Sequence, residues 1–347
     1  MALSPQKSLI YTRRLESSMH QPPVLPSPKR RRFEIIDTEV QAARPSKPAA
    51  DHRPFNIFTA LLKNPELLFE FANHLPTDDL VSLYAISKEF HFLANQRLTA
   101  LILGHADTRA PESSHTFPFT CYRSLCMQDP NQTQLEGTHG LIRSIPSFRW
   151  LRMVHFREQV VDEILGHLYG TGHRLPRRVS LVLKKLWFTL DFSDNVRRMA
   201  LVHNEHYWPS TDLFLATMFL VKLDMRLNDP LTGSGHLGLR RLLLNQRSLS
   251  TLARVLQRTA MQRDLDMVRM MVLYNYEPRT NTGEHIFGIH PRHAGKLQYE
   301  GWGTRRTKFI PIDEVIGREG LKRGLQMHHF YIDMMLFGYV NVRRVVT

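Results

Sequence analysis

Asn64-Pro65-Glu66-Leu67-Leu68-Phe69-Glu70-Phe71-Ala72-Asn73-His74-Leu75-Pro76-Thr77-Asp78-Asp79-Leu80-Val81-Ser82-Leu83-Tyr84-Ala85-Ile86-Ser87-Lys88-Glu89-Phe90-His91-Phe92-Leu93-Ala94 reads as consecutive short helices. Pro65 suits a first helical turn, where its fixed φ fits and its missing N–H costs nothing, and Asn64 before it is a good cap residue. Leu67, Leu68, Phe71, Ala72 and Leu75 recur three and four apart, the spacing of a helix face. Pro76 ends this helix, because the residue before a proline is pushed out of the α region. Thr77 is a cap residue for the next helix, and Asp78 and Asp79 sit favourably at its positive end. Leu80, Leu83, Tyr84, Ile86 and Phe90 form the second stripe, continued by Leu93, Leu98, Leu101 and Ile102. The spacing predicts a group of about three short helices over residues 55–103.

The same residues resemble an F-box. That pattern opens with Leu-Pro, runs through a leucine-rich helix to an acidic residue plus Leu, and closes on an apolar residue, Ser or Cys, a base, a spacer and an aromatic. Pro65, Glu66, Leu67, Leu68, Leu75, Asp79, Leu80, Leu83, Ile86, Ser87, Lys88, Phe90, Leu93 and Ala94 fall in register with it. Asn64 stands where the family usually has Leu, and Phe90 where many members have Trp. The resemblance covers about 40 of the 347 residues and has no invariant catalytic residue. It implies docking on the Skp-family (S-phase-kinase-associated) adaptor and, through it, a cullin. The remainder of the chain would then capture a target protein for an SCF-type ubiquitin ligase. The residues expected at the adaptor are Pro65, Leu67, Leu68, Leu75, Leu80, Leu83, Ile86 and Phe90. The same helices would also serve as plain core. A helix-turn-helix fits less well, since Leu80–Phe90 carries one base, Lys88, and base-edge readout needs Arg, Lys, Asn or Gln.

Residues 1–54 are of another composition. They hold eight of the twenty prolines and two aromatics, Tyr11 and Phe33. That apolar content does not offset about 1–2 kcal/mol of ordering entropy per residue, so a disordered basic tail is expected. Lys29-Arg30-Arg31-Arg32 is a candidate nuclear-import run. Ser4 and Ser27, each before proline, are candidate phosphorylation sites. A phosphate on Ser27 would put about −1.5 to −2 charge beside the basic run.

The whole chain is basic, with 46 Lys plus Arg against 32 Asp plus Glu, a net charge of +14. The tail contributes ten bases and five acids, residues 61–100 three and five, so +11 lies beyond residue 100. Two cysteines exclude a disulfide scaffold and a four-cysteine zinc site. No apolar run reaches the ~20 residues of a membrane span, and the start has no apolar signal core. A nuclear or cytoplasmic protein is expected.

Residues 104–147, rich in Ser, Thr, Asn, Gln, Gly and Pro, read as a connection. Residues 148–347 read as a mostly helical recognition region, with helices expected over 149–168, 211–227, 248–274 and 313–337, the last capped by Asp313. Val179–Leu190 fits either a strand or a helix. The fold class is therefore mainly α: a tail, a small helical module and a larger helical region.

No set of residues points to catalysis. Gly233-Ser234-Gly235-His236-Leu237-Gly238 has the glycine spacing of a dinucleotide loop, but it does not join a strand to a helix. His203-Asn204-Glu205-His206 lacks zinc-protease order. His285, His290 and His293 lie in a Gly-rich loop, expected in solvent, and His328-His329 in an apolar helix, expected in packing. Neither a metal nor another cofactor is expected. Basic pairs recur at Arg177-Arg178, Lys184-Lys185, Arg197-Arg198, Arg240-Arg241, Arg305-Arg306 and Arg343-Arg344. On a common groove they would favour an acidic target or, in the rival reading, nucleic acid in a basic nuclear protein.

Overall fold

In the computed structural model, described over residues 56–131, 142–231, 233, 238–277 and 283–337, side-chain caps and prolines set several helix starts. Asn56 Oδ1 accepts from the Phe58 and Thr59 amides and opens α1 (Ile57–Leu62). Pro65 opens α2 (Pro65–His74), with Asn64 at the cap position but making no side-chain bond there. Pro76 is itself the cap of α3 (Thr77–Ile86), one residue before the expected Thr77. Ser87 Oγ accepts from the Phe90 amide and starts α4 (Lys88–Gln96). α5 (Leu98–Arg109) follows and packs along α2, and α3 packs on α4. Leu68, Ala72, Leu80, Phe90, Ala94, Leu98, Leu101 and Ile102 form their common interior.

Among the described residues, the segment expected as a connection contributes to the core. α6 (Pro111–Thr116) packs against α5, α7 and α8, and Ala106, Ala110, Phe117 and Ile145 are fully buried or nearly so. Most of its buried polar side chains are satisfied internally, the Ser113 hydroxyl being the exception. Ser114 Oγ donates to Asp107, Thr116 Oγ1 donates to the Glu112 carbonyl, and the Trp150 indole donates to the Phe117 carbonyl. Two three-residue strands, β1 (Cys126–Gln128) and β2 (Ser144–Pro146), pair antiparallel beside it. From Asn56 onward the chain is one compact unit, not a module joined by a linker to a second body.

α7 (Phe148–Gly170) and α8 (Val179–Asp191) carry the middle of the core, with Trp150 and Trp187 buried. α8 resolves the strand-or-helix alternative: it is buried on nearly every face, and the Lys184-Lys185 pair interrupts its apolar pattern, which blurs both periods. α9 (Asn195–His203) is capped by Asp194, whose carboxylate accepts from the Arg197 amide. α10 (Ser210–Leu227) is the central rod, touched by α7, α8, α11 (Leu239–Leu244), α15 and α16. The described chain is mainly helical, and none of its helices is long and apolar enough to cross a membrane.

Two expected long helices are broken. The first divides into α12 (Ser250–Leu256) and α13 (Asp264–Tyr274). Arg258 takes φ 58°, while the Arg258 and Thr259 amides return to the carbonyls of Val255 and Arg254. That is a Schellman stop with Arg where Gly is usual, so no glycine marks it. After the single turn α14 (Glu300–Gly303), α15 (Ile312–Lys322) ends the same way at Gly324, φ 72°, and Pro311 rather than Asp313 is its cap. A 3-10 turn over Met327–Phe330 leads into α16 (Tyr331–Leu336). No neighbour lies within 4 Å of a Cβ built on Gly324, so Gly324→Ala isolates the left-handed backbone cost. It is expected to destabilise by about 1–2 kcal/mol in denaturant unfolding; an unchanged midpoint would exclude this stop as a determinant.

Candidate functional site

α2 is apolar on two adjacent sides about 100° apart, and only one of them is buried. Leu68 and Ala72, four apart, are fully buried against α5, whereas Leu67 and Phe71, also four apart, point outward at 56% and 43% exposure. Beyond α2, Ile57 on α1, Ile86 at the end of α3 and Phe92 on α4 are exposed as well. Large side chains left in water on a small group of helices mark a contact surface when they cluster.

The eight residues expected at an adaptor therefore divide. Leu68, Leu80 and Phe90 are fully buried and hold the helices together, so they do not contact an adaptor directly. Pro65, Leu75 and Leu83 are partly exposed, and Leu67 and Ile86 are open. Spacing identified a helix face but not which of two apolar faces turns inward. Phe71, Phe92 and Ile57 are exposed apolar side chains that the expected set did not include; the signal for Phe71 is its place one turn after Leu67.

The surface is held in place by buried polar contacts. His105 Nε2–H donates to the Leu75 carbonyl at 2.9 Å, and Arg109 donates to the His74 carbonyl at 2.8 Å, which anchors the end of α2 to α5. With Nε2 carrying its proton, His105 Nδ1 accepts from His155 Nε2–H on α7 at 3.2 Å. Burial, with the charge of His105 and Arg109 added, holds His155 down to about 4, so this pair is neutral at ordinary pH. Tyr84 Oη donates to Asn95 Oδ1 at 2.7 Å and joins α3 to α4.

The basic pairs do not assemble a groove, because several of these side chains have partners inside the fold. Lys184, fully buried, donates to Glu112 at 2.7 Å, to Glu158 and to Ser180 Oγ, tying α6, α7 and α8. Lys185 and Arg178 share Asp212, each at 2.7 Å. Arg198 donates to the carbonyls of Leu190 and Phe192 and lies over the Phe309 ring. Arg240 and Arg241 both reach Asp313. Arg343, Arg344, Lys29, Arg30, Arg31, Arg32, Ser4, Ser27 and His236 lie outside the described residues.

Among the described residues no group of three His, Cys, Asp or Glu side chains is placed to hold a metal ion. His285, His290 and His293 are exposed or partly exposed and stack edge to face. His328 and His329 are exposed on the 3-10 turn before α16, not packed within a helix.

Burial tends to raise Glu112, but its bonds from Lys184 and Ser180 outweigh that and hold it below the ordinary 4.5. A carboxylate depressed on folding stabilises above its unfolded value and loses that contribution as pH falls through its folded one. Thermal melts are expected to drop more steeply below about pH 4.5 in the wild type than in Glu112→Gln; parallel curves would remove Glu112 from acid unfolding.

No known protein family, curated protein or solved structure matches the chain.

Proposed function

We propose that this chain is the substrate-recognition subunit of an SCF-type cullin–RING ubiquitin ligase, docking a Skp-family adaptor through α1–α4 and holding a target protein on its C-terminal region. The observation that carries the reading is the pair of apolar faces on α2: one faces the core through Leu68 and Ala72, the other faces solvent through Leu67 and Phe71. Core packing explains the first and leaves the second without a use. An apolar partner surface gives it one, and a few central anchors would dominate such an interface. Ile86, 79% exposed, stands at the end of the next helix in the same module.

The activity on this reading is proximity. The chain holds its target beside a ubiquitin-loaded partner and raises the effective concentration of the acceptor lysine, while the bond chemistry belongs to other subunits. The nucleic-acid alternative draws its support from the +14 charge alone. Lys184, Lys185, Arg178, Arg240 and Arg241 are engaged in ion pairs within the fold, so these five add no free charge to the basic surface it requires.

The test is co-purification of the tagged chain from cells at low and high salt, with partners identified by mass spectrometry. Apolar docking predicts adaptor and cullin at both salt concentrations. Binding through phosphate contacts instead weakens steeply as salt rises, because each contact releases counterions. Nucleic acid recovered at low salt only, with no adaptor at either, would overturn the receptor reading.

A further inference from the structure

α9 and α15 enclose a cleft of about 320 Å³ on the far part of the chain from the adaptor module in sequence. On α9, Val196, Met199 and His203 fall three and four apart and so share a face; on α15, Val315, Glu319 and Lys322 do the same. The floor is apolar, with Val202 and Val315 buried and Met199 partly open. Val196, at 71% exposure, continues the stripe outside the cleft.

One wall is a built polar network. Glu319, buried, accepts from Arg323 Nε at 2.7 Å and from His203 Nδ1 at 3.0 Å. Arg323 also donates to the carbonyls of Trp208 at 2.6 Å and Val202 at 2.9 Å, closing the C-terminal end of α9. Burial raises Glu319 but its bonds from Arg323 and His203 bring it below the ordinary carboxylate range, so it stays charged and His203 Nδ1 carries the proton. His203 is thereby fixed in orientation with Nε2 on its exposed edge. Arg318 is paired with Glu314, and Arg323 with Glu319. Lys322, exposed at the cleft and in none of the described ion pairs, is the cation left to meet a ligand.

We propose that this cleft takes the C-terminus of a partner protein, with an apolar last side chain against Val202, Val315 and Met199 and the terminal carboxylate on Lys322. The charge favours a single carboxylate: one unengaged cation beside the charged Glu319 suits a monoanion better than a phosphate dianion. The size excludes a large cofactor, since 320 Å³ is at the lower end of ligand cavities. The shape favours a chain over a compact metabolite. From Met199 to His203 the lining runs about 6 Å along α9, the length of roughly two extended residues. The proposal gives the receptor reading a class of target and rests on that reading for its biological use, but it is measured separately.

The probe is a fluorescein-labelled peptide with a Gly-Ser spacer ending in Ala-Leu, as free acid and as C-terminal amide, titrated with the full chain by anisotropy. The acid is expected to bind at least about tenfold tighter than the amide. Lys322→Glu is expected to remove that difference, and Met199→Glu to weaken both peptides, each variant melting as wild type does. Equal affinity of acid and amide, or no saturable binding of either, overturns the proposal. So does displacement by 4-methylpentanoate at the same concentration as unlabelled peptide, which would assign the cleft to small acids. Adaptor capture by Lys322→Glu is read in parallel. Its retention alongside failed peptide binding rejects the cleft and leaves the receptor reading, and its absence from the wild type rejects the receptor reading alone.

Discussion

Replacing Leu67 and Phe71 together by Gln is expected to reduce adaptor capture at least about a hundredfold while leaving the melting temperature within a few degrees of wild type. Truncating a central apolar anchor typically costs 2 kcal/mol or more, about thirtyfold in affinity, and two such losses are rarely fully additive. Gln keeps high helix propensity, so the backbone of α2 is not put at risk. Both side chains are exposed, 56% and 43%, and exposed substitutions usually move stability by about 0.5 kcal/mol or less. Phe71, the less exposed of the two, sets the upper end of the stability change. The informative control is Leu68→Ala. Leu68 is fully buried, so its truncation leaves a cavity worth about 2–5 kcal/mol and loosens α2 from α5. Leu68→Ala should lose capture and stability together, and Leu67→Gln/Phe71→Gln should lose capture alone. Capture unchanged in the folded double variant would end the assignment of this face to an adaptor, whatever Leu68→Ala does. A Leu67/Leu68 double Ala variant cannot make that distinction, because half of it acts through folding.

That contrast shows what the amino-acid pattern carries. The start and stop of α2 and the start of α3 were legible because Pro65 and Pro76 act on their own backbone and need no tertiary information, whereas the break at Ser87 inside the expected Leu80–Phe90 stripe was not. The orientation of α2 was not, since Leu67/Phe71 and Leu68/Ala72 are apolar stripes of equal period and only the presence of α5 decides which is inside. Segment 104–147 was misread for a related reason. The Ser114 and Thr116 hydroxyls are satisfied by Asp107, Pro111 and Glu112 close by in sequence, so polar composition is compatible with burial there. The break after α12 depends on Arg258 in a left-handed conformation that glycine usually signals, while the equivalent break after α15 has Gly324 and was open to reading. The α9/α15 cleft joins His203 to Glu319 across 116 positions, a distance over which spacing is silent.

Arg157→Met is expected to destabilise the fold by about 3 kcal/mol, since it leaves a largely shielded carboxylate without its cation. Arg157 Nη1 and Nη2 meet the two Asp191 oxygens at 2.6 and 3.1 Å, and Nη1 also donates to Tyr122 Oη at 3.0 Å. Tyr122 in turn donates to Asp191 Oδ2 at 2.6 Å, and burial raises its phenol so that it keeps that proton. The guanidinium carbon lies 4.4 Å from the Phe117 ring centroid and 4.9 Å from that of Trp187, so stacking is lost with the charge. Together these contacts join α7, the end of α8 and the 117–122 segment, which is how a polar stretch of chain becomes core. At roughly 2–4 °C per kcal/mol for a domain of this size, the melting temperature should fall by about 10 °C. Arg157→Met/Asp191→Leu should recover about half of the loss, because the uncompensated charge goes with its partner while the aromatic stacking does not return. A single variant within 1 kcal/mol of wild type would mean that water reaches Asp191 and screens it, and the joint between α7 and α8 would then rest on apolar packing alone.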